Sequence, residues 1–200
     1  MHTILVTGGI GSGKSAVCAL LRERGVPVYD CDARAKALYD RRPSLVARLE
    51  KALEMPLRGS DGRLDKARLA ARIFSDAGAR DTLEGILYPA LLQDFKRWRA
   101  RQKAPFVVLE SAVILSKPLF DGVANFVVWV DAPEELRIAR TMARDGASRE
   151  AVLGRIRAQE QAKEKADVLL PNDGTPEALS AAVQQLFFDK NGYICKILED

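Results

Sequence analysis

The run Gly8-Gly9-Ile10-Gly11-Ser12-Gly13-Lys14-Ser15 follows the apolar stretch Ile4-Leu5-Val6 and meets the pattern G-x-x-x-x-G-K-[ST] at each fixed position. This is the phosphate-cradling P-loop, and it commits the start of the chain to a strand, a tight glycine turn and a helix. Thr3 to Thr7 supplies the β-branched strand, and Val17, Leu20 and Leu21 give Lys14 to Arg24 helical spacing. Gly25 stands where the helix needs a left-handed residue to stop. The glycines let backbone approach phosphate oxygens closely, and the N–H groups that open the helix point at the same anion. Gly8, Gly9, Gly11, Ser12, Gly13, Lys14, Ser15 and Ala16 are therefore the expected nucleotide-binding residues, with Lys14 on the β- and γ-phosphates and the Ser15 hydroxyl on Mg²⁺. The spacing does not fit G-x-G-x-x-G, so a dinucleotide fold is set aside.

Further buried-strand patterns occur at Val26 to Tyr29, Phe106 to Leu109 and Phe126 to Val130, with a weaker one at Val168 to Leu170. Helical patterns separate them. The fold class expected is α/β: a parallel five-stranded sheet of the P-loop NTPase type, flanked by helices. Between Asp32 and Ala104 no strand pattern occurs. Pro43 and Ser44 open one helix there, Asp65 and Asp76 have the character of N-caps, and Pro89 stands where a new helix would begin. The expected organisation is one P-loop domain with a core of residues 1–31, 105–132 and 166–188, a helical lobe at 32–104, a helical lid at 133–165 and a tail at 189–200.

The lid assignment rests on arginine. Arg137, Arg140 and Arg144 are spaced to share one helix face, and Arg149, Arg155 and Arg157 follow a turn at Gly146. Guanidinium forks suit phosphate oxygens, although Glu134, Glu135 and Asp145 could pair with some of them.

The net charge of +4 carries no charged tail, and 48% hydrophobic residues suffice for a sizeable core. No apolar run approaches the ~18 residues of a membrane span, and the P-loop lies too near the first residue for a signal peptide. Three cysteines suit neither a disulfide framework nor a zinc site. A cytoplasmic protein is expected, with no membrane partner. Lys96, Arg97, Trp98, Arg99, Arg101 and Lys103 could form a nucleic-acid stripe, but Leu91, Leu92 and Phe95 make them the solvated side of a packed helix, so no nucleic-acid partner is expected.

The absence of N-K-x-D argues against a GTPase, and a third strand ending Glu110-Ser111 lacks the paired acids of ATP-driven motors. A small-molecule kinase needs a cradle, a metal, positive charge and a base for the acceptor hydroxyl. His2 lies at the wrong end of its strand, roughly 17 Å from the phosphates at ~3.3 Å per residue. A carboxylate of Asp30-Cys31-Asp32 must serve, and Asp32 is favoured; its competing role is a helix N-cap.

Together, Thr7 to Ser15, Gly25-x-x-Val28-x-Asp30-x-Asp32, Arg140-Thr141-Met142-x-Arg144-Asp145, Arg155-Ile156-x-x-Gln159 and Ala166-Asp167-x-x-Leu170-x-Asn172-Asp173-Gly174 resemble the dephospho-CoA kinase family, in order from about Thr3 to Leu186. The resemblance implies ATP-dependent phosphorylation of the ribose 3′-hydroxyl of dephospho-CoA. It implies Asp32 as base, Arg140 on the ATP phosphates, Asn172 beside the adenine, and the helical insertion as the acceptor lobe. Arg144 completes the expected ATP contacts, and the molecule is expected to act as a monomer or weak homo-oligomer. A nucleoside or nucleotide kinase is the alternative, followed by a non-catalytic ATP-binding or nucleic-acid-binding protein. Tyr88-Pro89 replaces the family's usual His-Pro, and Glu110 to Ser116 departs from its usual run after the third strand, keeping one carboxylate at Glu110 and losing one at Ser116.

Overall fold

The computed structural model describes residues 1–159, 162–190, 192, 194 and 195. Five strands, β1 (His2–Thr7), β2 (Val28–Asp30), β3 (Phe106–Glu110), β4 (Phe126–Asp131) and β5 (Val168–Pro171), form one parallel sheet in the order β2-β3-β1-β4-β5. The chain is thus α/β. β1, at the centre, is buried from Thr3 to Thr7, because both faces of a parallel sheet are covered. Ile4, Val6, Val108 and Val128 face α1 (Lys14–Glu23) and α8 (Pro176–Phe187), meeting Val17, Leu21, Val183 and Phe187. On the opposite face, Leu5, Leu109 and Val127 line a small cavity with Ile114 and Phe120 of the loop after β3.

The ends of these elements follow local chemistry. Gly25, at φ 79°, donates its N–H to Arg22 O and ends α1. The Val26 N–H is taken by Leu21 O and Pro27 has none, so β2 begins two residues later than its apolar pattern suggests. Thr175 caps α8 through the Ala178 N–H, with Pro176 as first helical residue.

The described residues divide into two compact units, one of residues 1–30 with the chain from Gln102 onward, the other Cys31–Arg101. The second unit is helical: α2 (Cys31–Arg41), α3 (Pro43–Leu53), α4 (Lys66–Ser75) and α5 (Ala77–Arg99). Asp65 accepts from Arg68 N at the start of α4, and Asp76 from Gly78 N and Ala79 N at the start of α5, both as their positions suggest. Pro89 does not start a helix. It lies inside α5, which runs through it without interruption. The proline forfeits one bond to Gly85, but Leu83, Leu87, Ala90, Leu91 and Phe95 are buried on both sides of it, and that shared packing keeps one helix. The ring of Trp98 lies against Phe95, with centroids 6.0 Å apart, so part of the aromatic surface of the basic stretch is engaged in packing.

In the first unit, β4 leads to α6 (Glu134–Asp145) and α7 (Arg149–Ala158), separated by a left-handed Gly146 at φ 64°. No helix among the described residues is long and apolar enough to cross a membrane.

The short strand β5 is pinned at its entrance by Asp167, which donates N–H to Val127 O and accepts the buried Val127 N–H at 2.7 Å. Asp167→Ala is expected to cost about 1–3 kcal/mol by stranding that donor, measured as a lower urea midpoint at unchanged slope. An unchanged midpoint would show that the strand holds without it.

Candidate active site

The P-loop joins β1 to α1 and takes its shape from three left-handed glycines, of which Gly11 (φ 74°) and Gly13 (φ 97°) are the most confined. A Cβ at Gly11 would strike the Arg137 carbonyl, and one at Gly13 the Asn172 side-chain amide. Ser12 N donates to Gly9 O at 3.1 Å, closing the turn, while Ala16 N returns to Gly13 O to start α1. Among the described residues, the N–H groups of Gly11 and Gly13 take no partner within the protein. These amides, with the positive end of α1 behind them, form an anion nest.

Lys14 folds back along the loop, its Nζ donating to Gly8 O at 3.0 Å and Gly9 O at 3.1 Å. Ser15 Oγ donates to Glu110 Oε1 at 2.9 Å. The register explains this meeting: Val6 of β1 pairs with Glu110 of β3, so the last residue of β3 lies beside the strand that feeds the loop. Glu110 is 8% exposed, with Arg22 at 3.9 Å. A hydroxyl and a carboxylate together are hard oxygen donors, few in number, as Mg²⁺ takes when phosphate and water complete its shell. One turn along α1, the buried Cys18 thiol is pushed well above the ordinary thiol range, by burial first and by the charge and hydrogen bond of Glu110 next. It is inert, as its buried position alone suggests.

Asn172 follows β5, where its N–H bonds Asp131 O. Its Nδ2 donates to Ser12 O at 2.7 Å and its own carbonyl accepts from Arg140 at 2.9 Å, so P-loop, Asn172 and Arg140 form one chain of contacts. Arg144 is not brought to the loop. Its guanidinium grips Asp145 at 2.7 and 3.1 Å, Arg155 reaches the same carboxylate at 2.8 Å, and the Asp145 carboxyl is held below its usual range by those bonds, that of Arg144 foremost. Arg149 pairs in the same way with Glu135. The acids of this segment do take up some of its arginines.

Arg137 departs from expectation most. The i, i+3, i+7 spacing groups it with Arg140 and Arg144, yet it is buried, packs against Gly9 and donates Nε to Ile10 O at 2.9 Å. Gln159, just past α7, accepts the Ile10 N–H at 2.8 Å and donates to Ala112 O at 2.9 Å. Spacing alone singles out neither as a loop contact. A buried arginine is invisible to periodicity when its neighbours are arginines too.

Asp32 lies in the other unit and is exposed. It occupies the first turn of α2 rather than the cap before it, because the helix starts at Cys31 immediately after β2. Within the same unit, the half-buried Tyr88 phenol is pushed above its usual range by burial, then by Glu84 and its hydrogen bond, then by the Asp32 charge. Tyr88 and Asp32 therefore share one electrostatic neighbourhood. Ser116 donates to Val113 O in the loop after β3.

The sequence profile of the dephospho-CoA kinase family matches residues 2–177. The chain belongs to that family. Among its relatives, the dephospho-CoA kinase of Porphyromonas gingivalis is 42% identical over 161 residues, covering 80% of this chain and 79% of that one. That of Thermus thermophilus is 37% identical over 196 residues, covering 96% and 94%. Among solved structures, the Thermus thermophilus protein TT1252 superposes with a TM-score of 0.79 at 38% identity, covering 92% of this chain and 94% of that one. A shikimate kinase from Acinetobacter baumannii, at TM-score 0.54, 18% identity and 96% and 95% coverage, shares the fold alone.

Gly13→Ala is expected to weaken MgATP binding about tenfold or more, since a left-handed alanine costs ~1–2 kcal/mol and its Cβ displaces Asn172. Calorimetric titration reads this directly, and wild-type affinity would contradict the role given to the loop.

Proposed function

We propose that this kinase moves the γ-phosphoryl group of ATP to the ribose 3′-hydroxyl of dephospho-CoA, with Asp32 accepting the hydroxyl proton. The observation that carries the reading is the meeting of the Gly11 and Gly13 amides, Lys14, Ser15 and Glu110 around one nest at the end of β1. That set can hold a metal-bound triphosphate, and family membership supplies the acceptor.

In the reaction, the acceptor oxygen bonds to the γ-phosphorus as the bond to the β,γ-bridging oxygen breaks, and the hydroxyl proton passes to Asp32. ADP leaves. Lys14 turns from the loop carbonyls to the β- and γ-phosphates, while the nest amides hold the same oxygens in fixed positions. Ser15 Oγ, with Glu110 beside it, would hold Mg²⁺, whose chemistry when bound is to offset charge on the β- and γ-oxygens. The α6–α7 segment acts as the lid. Arg140 contributes from its position on Asn172, and Arg144 joins once the phosphates outcompete Asp145. Asn172, already anchored to Ser12, borders the adenine. Tyr88 stands in for the family's usual histidine beside Asp32 and faces the acceptor. We place the enzyme in the cytoplasm, acting as a monomer or weak homo-oligomer.

Asp32→Asn keeps size and helix position and removes the base. Turnover with dephospho-CoA is expected to fall roughly 10²–10⁴-fold with little change in the KM for MgATP. Turnover near that of the wild type would remove Asp32 from this role.

A further inference from the structure

Ile10, at the tip of the P-loop, is held at each of its three groups by the α6–α7 segment. Its N–H goes to Gln159 Oε1 at 2.8 Å, its C=O receives Arg137 Nε at 2.9 Å, and its side chain packs against the apolar cluster of Ile138, Val152 and Ile156. None of these contacts is part of the phosphate-binding pattern itself, where position three is any residue.

Two features make the arrangement more than packing. The Gln159 amide works from both ends, its Oε1 on Ile10 while its Nε2 donates to Ala112 O at 2.9 Å and approaches Gly8 O at 3.4 Å, so one side chain spans the loop after β3 and both sides of the glycine turn. Arg137 is 8% exposed and its NH2 nitrogen is buried without a hydrogen-bond partner, against the face of Gly9. A buried guanidinium with one acceptor is costly in the free protein, and negative charge entering the adjoining nest offsets that cost.

We propose that Arg137 and Gln159 are positioning residues that grip the Ile10 peptide from its two sides, fix the loop in its phosphate-binding shape and tie that shape to the lid. Both act through Ile10. The affinity for the triphosphate then depends on side chains outside the P-loop. Because the two hold one peptide, losing either frees it, and losing the second adds little. The inference rests on the kinase reading only in taking MgATP as the ligand.

The test is a double-mutant cycle with Arg137→Met and Gln159→Met, which keep volume and remove the polar heads. Each single variant is expected to weaken MgATP binding, about tenfold for Arg137→Met and about fivefold for Gln159→Met, at the usual worth of a charged and a neutral hydrogen bond. The double variant is expected to be weakened about tenfold, not about fiftyfold. In steady-state assays the KM for MgATP rises while that for dephospho-CoA stays unchanged, and the melting temperature moves by only a few degrees; a merely structural role would move the melting temperature and spare the ratio of the two KM values. Arg24→Ala, at the exposed contacts with Ser180 and Gln184 away from loop and lid, serves as the unaffected control. Losses that multiply in the double variant, or single variants that bind MgATP like the wild type, would overturn the clamp. A wild-type protein that bound no MgATP would instead overturn the kinase reading beneath it.

Discussion

A loop that binds phosphate through its own backbone must keep several N–H groups turned inward and unbonded, and that arrangement cannot hold itself. Here the carbonyls on the outside of the loop do the holding. Gly8 and Gly9 accept from Lys14, Ile10 from Arg137 and Ser12 from Asn172, so the outward face is pinned by a helix start, a distant helix and the end of the last strand. The inward amides of Gly11 and Gly13 are left for a ligand. Much of the first unit can be understood as the means of bringing those partners to one place: β3 delivers Glu110, β4 delivers α6, and β5 delivers Asn172.

The cations around the loop differ in what holds them. Lys14 rests on neutral carbonyls, and Arg144 and Arg155 rest on an exposed carboxylate that water already screens. Exposed pairs of this kind contribute little to stability. Arg137 differs, being buried and partly unpartnered. The same stretch of helix thus carries one buried cation and others paired at the surface, a distinction that spacing along the helix does not reveal.

Features governed by nearest neighbours were legible from the residues themselves. The five strand runs, the glycine turn, the caps at Asp65 and Asp76 and the turns at Gly25 and Gly146 all follow from backbone chemistry within a few residues, and they appear in the structure. Features decided by packing were not. Pro89 would break an isolated helix but is carried through α5 by buried residues on either side, and Asp32 sits inside α2 because that helix begins on the heels of β2. The burial of Arg137 and the reach of Gln159 to Ile10, well over a hundred residues away in the chain, depend on where α6 and α7 come to rest. The ordered motifs of the family carried the acceptor's identity, which no single motif could.

What separates a kinase from an ATPase is that the phosphoryl group goes to a sugar alcohol and not to water. Phosphorus NMR of the protein with MgATP and dephospho-CoA follows each phosphate at once. The γ-phosphate signal is expected to be replaced, mole for mole, by a ribose 3′-monophosphate ester alongside ADP. Accumulation of inorganic phosphate with the acceptor unchanged would contradict it.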